Sequence, residues 1–437
     1  MIFPIIVIIA IGLYVWDYKI PALILFFLFL TSGFNLIPEE MTKTIFFSKG
    51  MDYAIVMLFA IVIIDAFCIK GYLKPDRLIY LYLLFCAYLA VCIFYNKSVG
   101  VGWNDIIRTC RYHTLWLAYL VFRRLPEVRL EILLKYLFLV TFFCSILFIL
   151  QIFLNESILN EGAVGSVNLF GIKIRRFYNQ PDMLHFFVFI AIYCNPFKGA
   201  AKHVTTAILV ITLLAAFHRS LIGFFLLSVA LGYIIQLPRL QRIKTLTVAS
   251  VFLVFLISFA GYKFVHSRTC VDIQRVMSGN IVDTEIDMDD ESTFTFRIMH
   301  LLERNQYLLD NPVAMFTGAG LMTEDSKLTY SLFDFDVGLT EELSGQTVQL
   351  DTGDISYSVL FLRYGYLGTL LNLALFIYLT VFFYKRRRNA YGLASFLFLV
   401  MSFGTSFFSG NLIMPITFVL PLITFCIIKK TEDPENL

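Results

Sequence analysis

The cationic side chains of segment 292–309 have the spacing of a phosphate-binding surface. Arg297, His300 and Arg304 stand at i, i+3 and i+7, so in a helix they share one face over two consecutive turns. Apolar residues of the segment recur with helical period, and Pro312 predicts where the helix ends. We expect the apolar face to lie on the membrane surface and the cationic stripe to face a cleft. Guanidinium groups match phosphate oxygens in bidentate geometry, so the stripe suits a diphosphate. The alternative is an interfacial helix whose arginines contact lipid head groups.

Two carboxylates, Asp351 and Asp354, stand where the chain returns from a long polar stretch to an apolar one. A carboxylate at a partly dehydrated rim can have its pKa raised enough to serve as a general base. We therefore expect one of the two to accept a proton, opposite the arginines of segment 292–309. The alternative for Asp354 is a helix N-cap, because it precedes a long predicted helix with unsatisfied amide groups.

Further arginines are candidates for the same ligand. Arg219 is flanked by apolar runs, and burying it costs about 2.5–3.5 kcal/mol on insertion scales unless it faces a partner. Arg175 and Arg176 lie in a loop on the side of the membrane where few basic residues are expected; the alternative is a solvated loop. Other arginines in or beside apolar runs are expected to make packing or head-group contacts: Arg108, Arg111 and Arg363.

The composition predicts an integral membrane protein. The chain is 59% hydrophobic and 15% charged, which is more apolar surface than a soluble domain buries and which a bilayer accepts. The first apolar run lacks a basic start, so we expect a retained span. The net charge of +3 arises in short loops and does not indicate nucleic acid as a partner.

No cofactor or metal is expected. The eight cysteines are scattered, with only Cys270 in the large polar loop, and no metal-ligand spacing occurs. The acidic run 283–291 is interpreted mainly as solvated. For the pairs Asp287 and Asp289, and Asp334 and Asp336, the alternative is a metal-binding pair, but two carboxylates one residue apart occur often in acidic stretches.

The predicted fold is an all-α polytopic membrane protein with thirteen spans and one large outer loop that contains the amphipathic helix. Clusters of Lys and Arg fall in every second loop, which places the C-terminus in the cytoplasm and both the N-terminus and the large loop outside. The domains are residues 1–264 with ten spans, loop 265–354, and 355–437 with three spans and a tail. The spans are 2–16, 20–37, 51–69, 77–95, 105–122, 132–154, 182–196, 203–217, 220–236, 245–264, 355–384, 390–408 and 411–428.

Four motifs occur in order among these elements. Residues 174–181 read Ile-Arg-Arg-Phe-Tyr-Asn-Gln-Pro, and 218–220 read His-Arg-Ser at a helix start. Residues 316–320 read Phe-Thr-Gly-Ala-Gly, and 354–368 read Asp-Ile-Ser-Tyr-Ser-Val-Leu-Phe-Leu-Arg-Tyr-Gly-Tyr-Leu-Gly. Together with the late outer loop, this order resembles the O-antigen polymerase and O-antigen ligase superfamily of bacterial membrane glycosyltransferases.

The resemblance implies a GT-C-like helix bundle in the bacterial inner (cytoplasmic) membrane, with a metal-independent active site facing the periplasm. Its substrates are oligosaccharide repeat units on undecaprenyl diphosphate among membrane lipids, and a chain-length-determinant membrane protein is a candidate partner. An acceptor hydroxyl attacks the anomeric carbon of the donor chain, and undecaprenyl diphosphate leaves. Asp354 or Asp351 accepts the hydroxyl proton. By position, the diphosphate and glycan are bound by Arg176, Arg219 and Arg297, with Arg175, His300 and Arg304 as further candidates.

Three alternatives stay open. An O-antigen ligase has the same fold and chemistry, but ligases of the superfamily carry a functional His at the return to the membrane, where this chain has Asp354. A flippase or exporter shares the many spans, yet transporters usually show inverted repeats and short loops, which a loop as long as 265–354 does not match. The third is a scaffold subunit of an envelope complex.

Overall fold

A computed structural model describes residues 2–44, 47, 49–160, 164–169, 172–238, 241, 244–245, 292–323, 326–338 and 348–432. The predicted tenth span 245–264, the acidic run 283–291 and Cys270 lie outside the described residues, apart from the first residue of that span. The helices of the described part are, in chain order, α1 Ile2–Val15, α2 Lys19–Leu30, α3 Glu39–Thr42, α4 Gly50–Cys68, α5 Arg77–Ser98, α6 Trp103–Cys110, α7 Ala118–Phe122, α8 Glu127–Leu154, α9 Leu184–Cys194, α10 Gly199–Ala215, α11 Arg219–Gln236, α12 Ser292–Asp310, α13 Pro312–Thr317, α14 Lys327–Leu332, α15 Ser356–Lys385, α16 Ala390–Thr405 and α17 Ile416–Glu432.

Five of these helices are long and apolar enough to cross a membrane: α4, α5, α8, α11 and α15. The 28 residues of α8 extend about 42 Å at the helical rise, which exceeds the ~30 Å of hydrocarbon. Shorter apolar helices accompany them, namely α1, α2, α9, α10 and α16. The prediction of a helical membrane protein is thus confirmed at this level, whereas the number of thirteen spans stays a prediction.

The predicted span 105–122 is not one continuous helix. It consists of α6, a 3₁₀ helix over Arg111–Leu117, and α7. The 3₁₀ winding is tighter than an α-helix, and two long-range contacts hold it. The Arg111 guanidinium lies 2.5 Å from a carboxylate oxygen of Asp52, and the ring of Trp116 stacks on Phe418 at 4.3 Å between centroids.

A two-stranded antiparallel hairpin follows α8; it was not predicted from the sequence. Its strands are β1 Val164–Leu169 and β2 Ile172–Phe177. The register pairs Gly165 with Arg176. Because successive side chains of a strand point to opposite faces, this hairpin separates the two adjacent arginines of β2.

Polar contacts at one end of the bundle join loops that carry the basic clusters. The Lys429 ammonium donates to Asp76 at 2.8 Å, and the Arg123 guanidinium donates to the Lys74 carbonyl at 2.9 Å. These residues belong to loops for which the distribution of Lys and Arg predicts one common side. We call this end the basic end.

The remaining loops meet at the opposite end. Asn35 donates to the Asp182 carboxylate at 3.1 Å, and Thr323 donates to Asp105 at 2.9 Å. The start of α15 lies here too, since the Ser356 amide donates to the Ser409 carbonyl at 3.1 Å. We call this end, formed by the loops around residues 35, 105, 182, 323 and 354–356, the site end.

Two glycines hold segment 312–320 closely against α15. Gly318 has φ +78° and Gly365, at a kink inside α15, has φ +61°. A Cβ on Gly318 would come within 2.5 Å of the Leu362 carbonyl, and one on Gly365 within 2.6 Å of the Met315 carbonyl. The Ala319 amide donates to Leu362 at 2.7 Å. The predicted turn at 318–320 is confirmed. It holds the segment that follows α12 against α15.

Candidate functional site

The hairpin gives the two adjacent arginines different environments. Arg176 donates from Nε to the Ala216 carbonyl at 2.9 Å, and its guanidinium lies 4.3 Å from the centre of the Tyr178 ring. Arg175 is exposed and donates to the Asn155 carbonyl at 2.7 Å. Arg176 lines a cavity at the site end, whereas Arg175 is not among its lining residues. The structure therefore separates the predicted pair.

His218, the N-cap of α11, lies beside this hairpin. Phe217, with φ +52°, turns the chain, and the His218 side chain caps α11 by accepting the Leu221 amide at Nδ1. The Ser220 hydroxyl lies 3.0 Å from the same nitrogen. An amide can only donate, so Nδ1 is the acceptor and Nε2 carries the proton of the neutral ring. Arg219, the next residue, is exposed at the first turn.

Helix α12 confirms the predicted helix nearly to the residue and brings Arg297 to the point where the chain returns to the apolar bundle. Its Nη2 lies 3.4 Å from Oδ2 of Asp354, and the two side chains are 20% and 56% exposed. This distance exceeds the ~2.7–2.9 Å of a tight charge-assisted hydrogen bond. Among the described residues, the buried Nε of Arg297 has no hydrogen-bond partner.

The N-cap interpretation of Asp354 is wrong. Helix α15 begins at Ser356, and its N-cap is Ile355, with no capping bond from a side chain. Asp354 therefore stands one position before the cap, where its carboxylate meets Arg297 instead of the free amides of the helix.

Three charged groups from separate segments act on the imidazole of His218. Burial lowers the pKa of His218, the charges of Arg176 and Arg297 lower it further, and Asp354 raises it. Arg176 comes from the hairpin, Arg297 from α12 and Asp354 from the start of α15. The sequence-predicted residues Arg176, Arg297 and Asp354 are thus within electrostatic range of His218.

His300 and Arg304 do not face an open cleft, which corrects the prediction of a cationic stripe. His300 is fully buried between the Leu350 carbonyl, 3.1 Å from Nε2, and the Ser358 hydroxyl, 3.2 Å from Nδ1. A carbonyl only accepts, so Nε2 carries the proton and Nδ1 accepts from Ser358. Burial, with the nearby Arg304 charge, lowers the pKa of His300 to about 3, which keeps the ring neutral.

Arg304 is 1% exposed, and its guanidinium donates to backbone carbonyls. It donates from Nε to Leu350 and from Nη2 to Val348, both at 3.2 Å, pairs with Glu303 and lies 4.0 Å from the centre of the Phe335 ring. Burial lowers its pKa to about 10. Segment 348–351 covers this face of α12, so His300 and Arg304 do not face a cleft. The predicted role of both residues in substrate binding stays a prediction.

Asp351 is separated from Asp354 by its environment. Its side chain is 1% exposed and pairs with Arg363 of α15, at 2.5 Å between Oδ2 and Nε and 3.0 Å between Oδ1 and Nη2. Arg363 was expected to make a packing or head-group contact and instead forms this ion pair. Of the two predicted carboxylates, Asp354 is the exposed one.

A cavity of about 200 Å³ opens beside Arg176 and His218. It lies between α9, α11, α16 and α17. Helices α9 and α16 pack through Phe186 and Phe398, whose ring centres are 5.2 Å apart. The cavity was not predicted, because its lining comes from three separate stretches of the chain, 176–186, 216–221 and 398–420. His218 was also missed as a site residue; the available signal was a His-Arg pair between two apolar runs.

Within the ranges that the structure describes, no group of three or more His, Cys, Asp or Glu side chains is placed to hold a metal ion. Asp336, part of an acidic pair considered above, instead donates its amide to Glu303 at 2.8 Å.

Comparisons of the chain with protein-family models and with curated proteins found no match.

Proposed function

We propose that this chain is a lipid-linked glycan polymerase. It transfers a growing O-antigen-type polysaccharide from undecaprenyl diphosphate onto a new lipid-linked repeat unit at the periplasmic face of the inner membrane. The observation that carries the proposal is an ion pair and a cavity at one end of an apolar helix bundle. Arg297 pairs with Asp354, Arg176 and His218 line the cavity together, and all three charges affect the pKa of His218. Cations for a leaving diphosphate and a carboxylate for a hydroxyl proton are the groups that this transfer requires.

The two arginines hold the diphosphate. Arg297 makes only a long contact to Asp354, and its Nε has no partner among the described residues. Arg176 uses Nε for the Ala216 carbonyl, one of the five donors that a guanidinium carries. The remaining donors match phosphate oxygens and stabilise the negative charge that develops on the leaving group. Arg219, exposed beside His218, joins them when the lipid is bound.

Asp354 is the general base. The acceptor hydroxyl oxygen forms a bond to the anomeric carbon of the donor, and its proton goes to the Asp354 carboxylate. The bond from that carbon to the diphosphate oxygen breaks, and undecaprenyl diphosphate leaves with the electron pair. The carboxylate is 56% exposed and is therefore accessible to a hydroxyl group. Asp351, paired with Arg363, stabilises the segment where the chain returns to the apolar bundle and takes no part in the proton transfer.

In this proposal the site end faces the periplasm and the basic end faces the cytoplasm, as the distribution of Lys and Arg predicts. An aspartate at the return, where ligases of the resembling superfamily carry a histidine, favours a polymerase over a ligase. The additional helices α12–α14 between α11 and α15 favour an enzyme over an exporter, since transporters usually have short loops.

A gel of lipopolysaccharide from a strain that lacks this chain tests the proposal. We expect the ladder of long chains to collapse to core plus one repeat unit. The Arg297→Ala variant, expressed in this strain, should insert normally in the membrane but should not restore the ladder. The control is Arg129→Ala, which breaks another Arg–Asp pair, with distances of 2.8 and 2.6 Å to Asp17, and should restore the ladder.

Other outcomes identify the alternatives. Bare core with accumulated lipid-linked polymer indicates a ligase. An unchanged ladder in the deletion strain excludes the polymerase. Repeat units that accumulate on the cytoplasmic side indicate an exporter.

A further inference from the structure

The cavity beside Arg176 has polar side chains in its lining, although it lies within an apolar helix bundle. At about 200 Å³ it is smaller than the roughly 300–1,000 Å³ of pockets that enclose drug-sized ligands. It has room for one small ring, but not for an oligosaccharide. Polar and apolar side chains line it together, and they include Gln180, Asp182, Ser402 and Asn411.

The polar lining is held in place by hydrogen bonds. Asn35 donates to Asp182 at 3.1 Å and accepts the Asp182 amide at 3.0 Å. The amide nitrogen of Asn411 donates to the Thr405 hydroxyl at 2.6 Å. Gln180 lies 3.2 Å from His185. Fixed side chains that present donors and acceptors lose little freedom when a polar ligand binds.

The apolar lining includes two aromatic rings. Phe186 and Phe398 meet edge to face in the wall, and Leu221 adds an aliphatic surface. A sugar ring combines hydroxyl groups at its edge with apolar C–H groups on its faces, so its chemistry matches both parts of this lining.

Charge separates the sugar from the diphosphate. Asp182 lines the cavity, and its negative charge disfavours a second anion there. Arg176 lines the same cavity, and the charges of Arg176 and Arg297 both lower the pKa of His218. A diphosphate therefore stays at the arginines, and the neutral group attached to it enters the cavity.

We infer that this cavity is the subsite for the sugar residue bonded directly to the diphosphate of the donor lipid, an inference that rests on the proposed function. Side chains deep in the cavity, Ser402 and Asn411 among them, then determine which sugar the protein accepts. The arginines recognise the diphosphate whatever sugar it carries.

Binding of two lipids to the full chain in nanodiscs tests this subsite. The first lipid is undecaprenyl diphosphate, and the second is the lipid-linked repeat unit extracted from a strain that lacks this chain. We expect wild-type protein to bind the sugar-bearing lipid at least tenfold more tightly. Ser402→Val narrows the cavity and removes a hydroxyl group, and it should reduce this preference about tenfold without weakening binding of undecaprenyl diphosphate.

The matched control is Ser395→Val. Ser395 is also a buried serine of α16, but it bonds to Thr424 of α17 at 2.7 Å and does not line the cavity, so the preference should remain. Should Ser402→Val fail to insert, Thr405→Val changes the same wall.

The outcomes distinguish the two proposals. Equal affinity of wild-type protein for the two lipids overturns the sugar subsite and leaves the diphosphate site intact. A preference that Ser402→Val and Ser395→Val reduce equally also overturns it. If neither lipid binds better than phosphatidylglycerol, the proposed function itself is wrong.

Discussion

Arg297 and Asp354, 57 residues apart in the chain, meet at the site end with 3.4 Å between Nη2 and Oδ2. The pair joins α12 to the start of α15, and the charges of both members affect the pKa of the partly buried His218. A long, partly exposed ion pair contributes only about 0–1 kcal/mol to stability. Its placement is therefore better explained by what the two groups can do for a ligand than by what they add to the fold.

The two carboxylates of the return segment should respond to substitution in opposite ways. Asp354→Asn should abolish chain growth and leave thermal stability nearly unchanged, because an exposed pair is lost. Asp351→Asn leaves the Arg363 charge without its buried partner, which costs about 3–5 kcal/mol. Glycan ladders and thermal unfolding of the purified variants measure the two effects. Equal growth defects at equal protein levels would falsify the assignment of Asp354 as the base.

The adjacent arginines of β2 provide a matched pair. Arg176→Ala should reduce polymer formation at least a hundredfold, since Arg176 lines the cavity and removal of a preorganised charge from a transition state costs about 10²–10³ in rate. Arg175→Ala should reduce it less than threefold, because Arg175 is exposed and bonds to Asn155. The readout is polymer formed from lipid-linked repeat units by purified protein. Similar losses for both variants would remove the hairpin from the site.

Acid should loosen the contact between α12 and the return segment through His300. Its pKa is about 3 in the folded protein and 6.5 in the ordinary state, so protonation favours the unfolded form. The stability that the neutral ring contributes is complete above pH 6.5 and falls by about 1.4 kcal/mol for each pH unit below it, down to pH 3.

His300→Gln should flatten this acid dependence, since glutamine does not titrate in the range and can still donate to Leu350. Unfolding midpoints from pH 7 to pH 4 test the difference between the variant and wild type. His203→Gln, at an exposed position, is the control and should keep the wild-type slope. A wild-type slope in His300→Gln would show that this imidazole does not titrate on unfolding.

The kink of α15 should tolerate no side chain. Gly365→Ala places a Cβ within 2.6 Å of the Met315 carbonyl at φ +61°, and the strain of such a position is of order 1–3 kcal/mol. Gly223→Ala in α11 is the control: no atom lies within 4 Å of its added Cβ, and alanine favours a helix by about 0.8–1 kcal/mol over glycine. Thermal unfolding in detergent should show opposite signs, and a stable Gly365→Ala would mean that the 318–365 contact does not form.

The apolar helices, α12 and the turn at 318–320 could be predicted from the sequence, because each depends on residues that are neighbours in the chain. Period 3.6, an Asn-Pro stop and a Gly-Ala-Gly turn are local signals. Arg297 and Asp354 could be singled out for the same reason, as a helix-face cation and as a carboxylate at a change of polarity.

Which polar groups stay accessible was decided by tertiary structure. Arg297 and Arg304 lie on the same helical stripe, yet segment 348–351 covers Arg304 and leaves Arg297 at the rim. Asp351 and Asp354 are three residues apart, and only the first finds Arg363. The physical reason is that burial of a charge depends on segments distant in sequence, whose contacts leave no local pattern. The sequence alone therefore determines the helices and their cationic face, while packing at the site end selects Arg176, His218, Arg297 and Asp354.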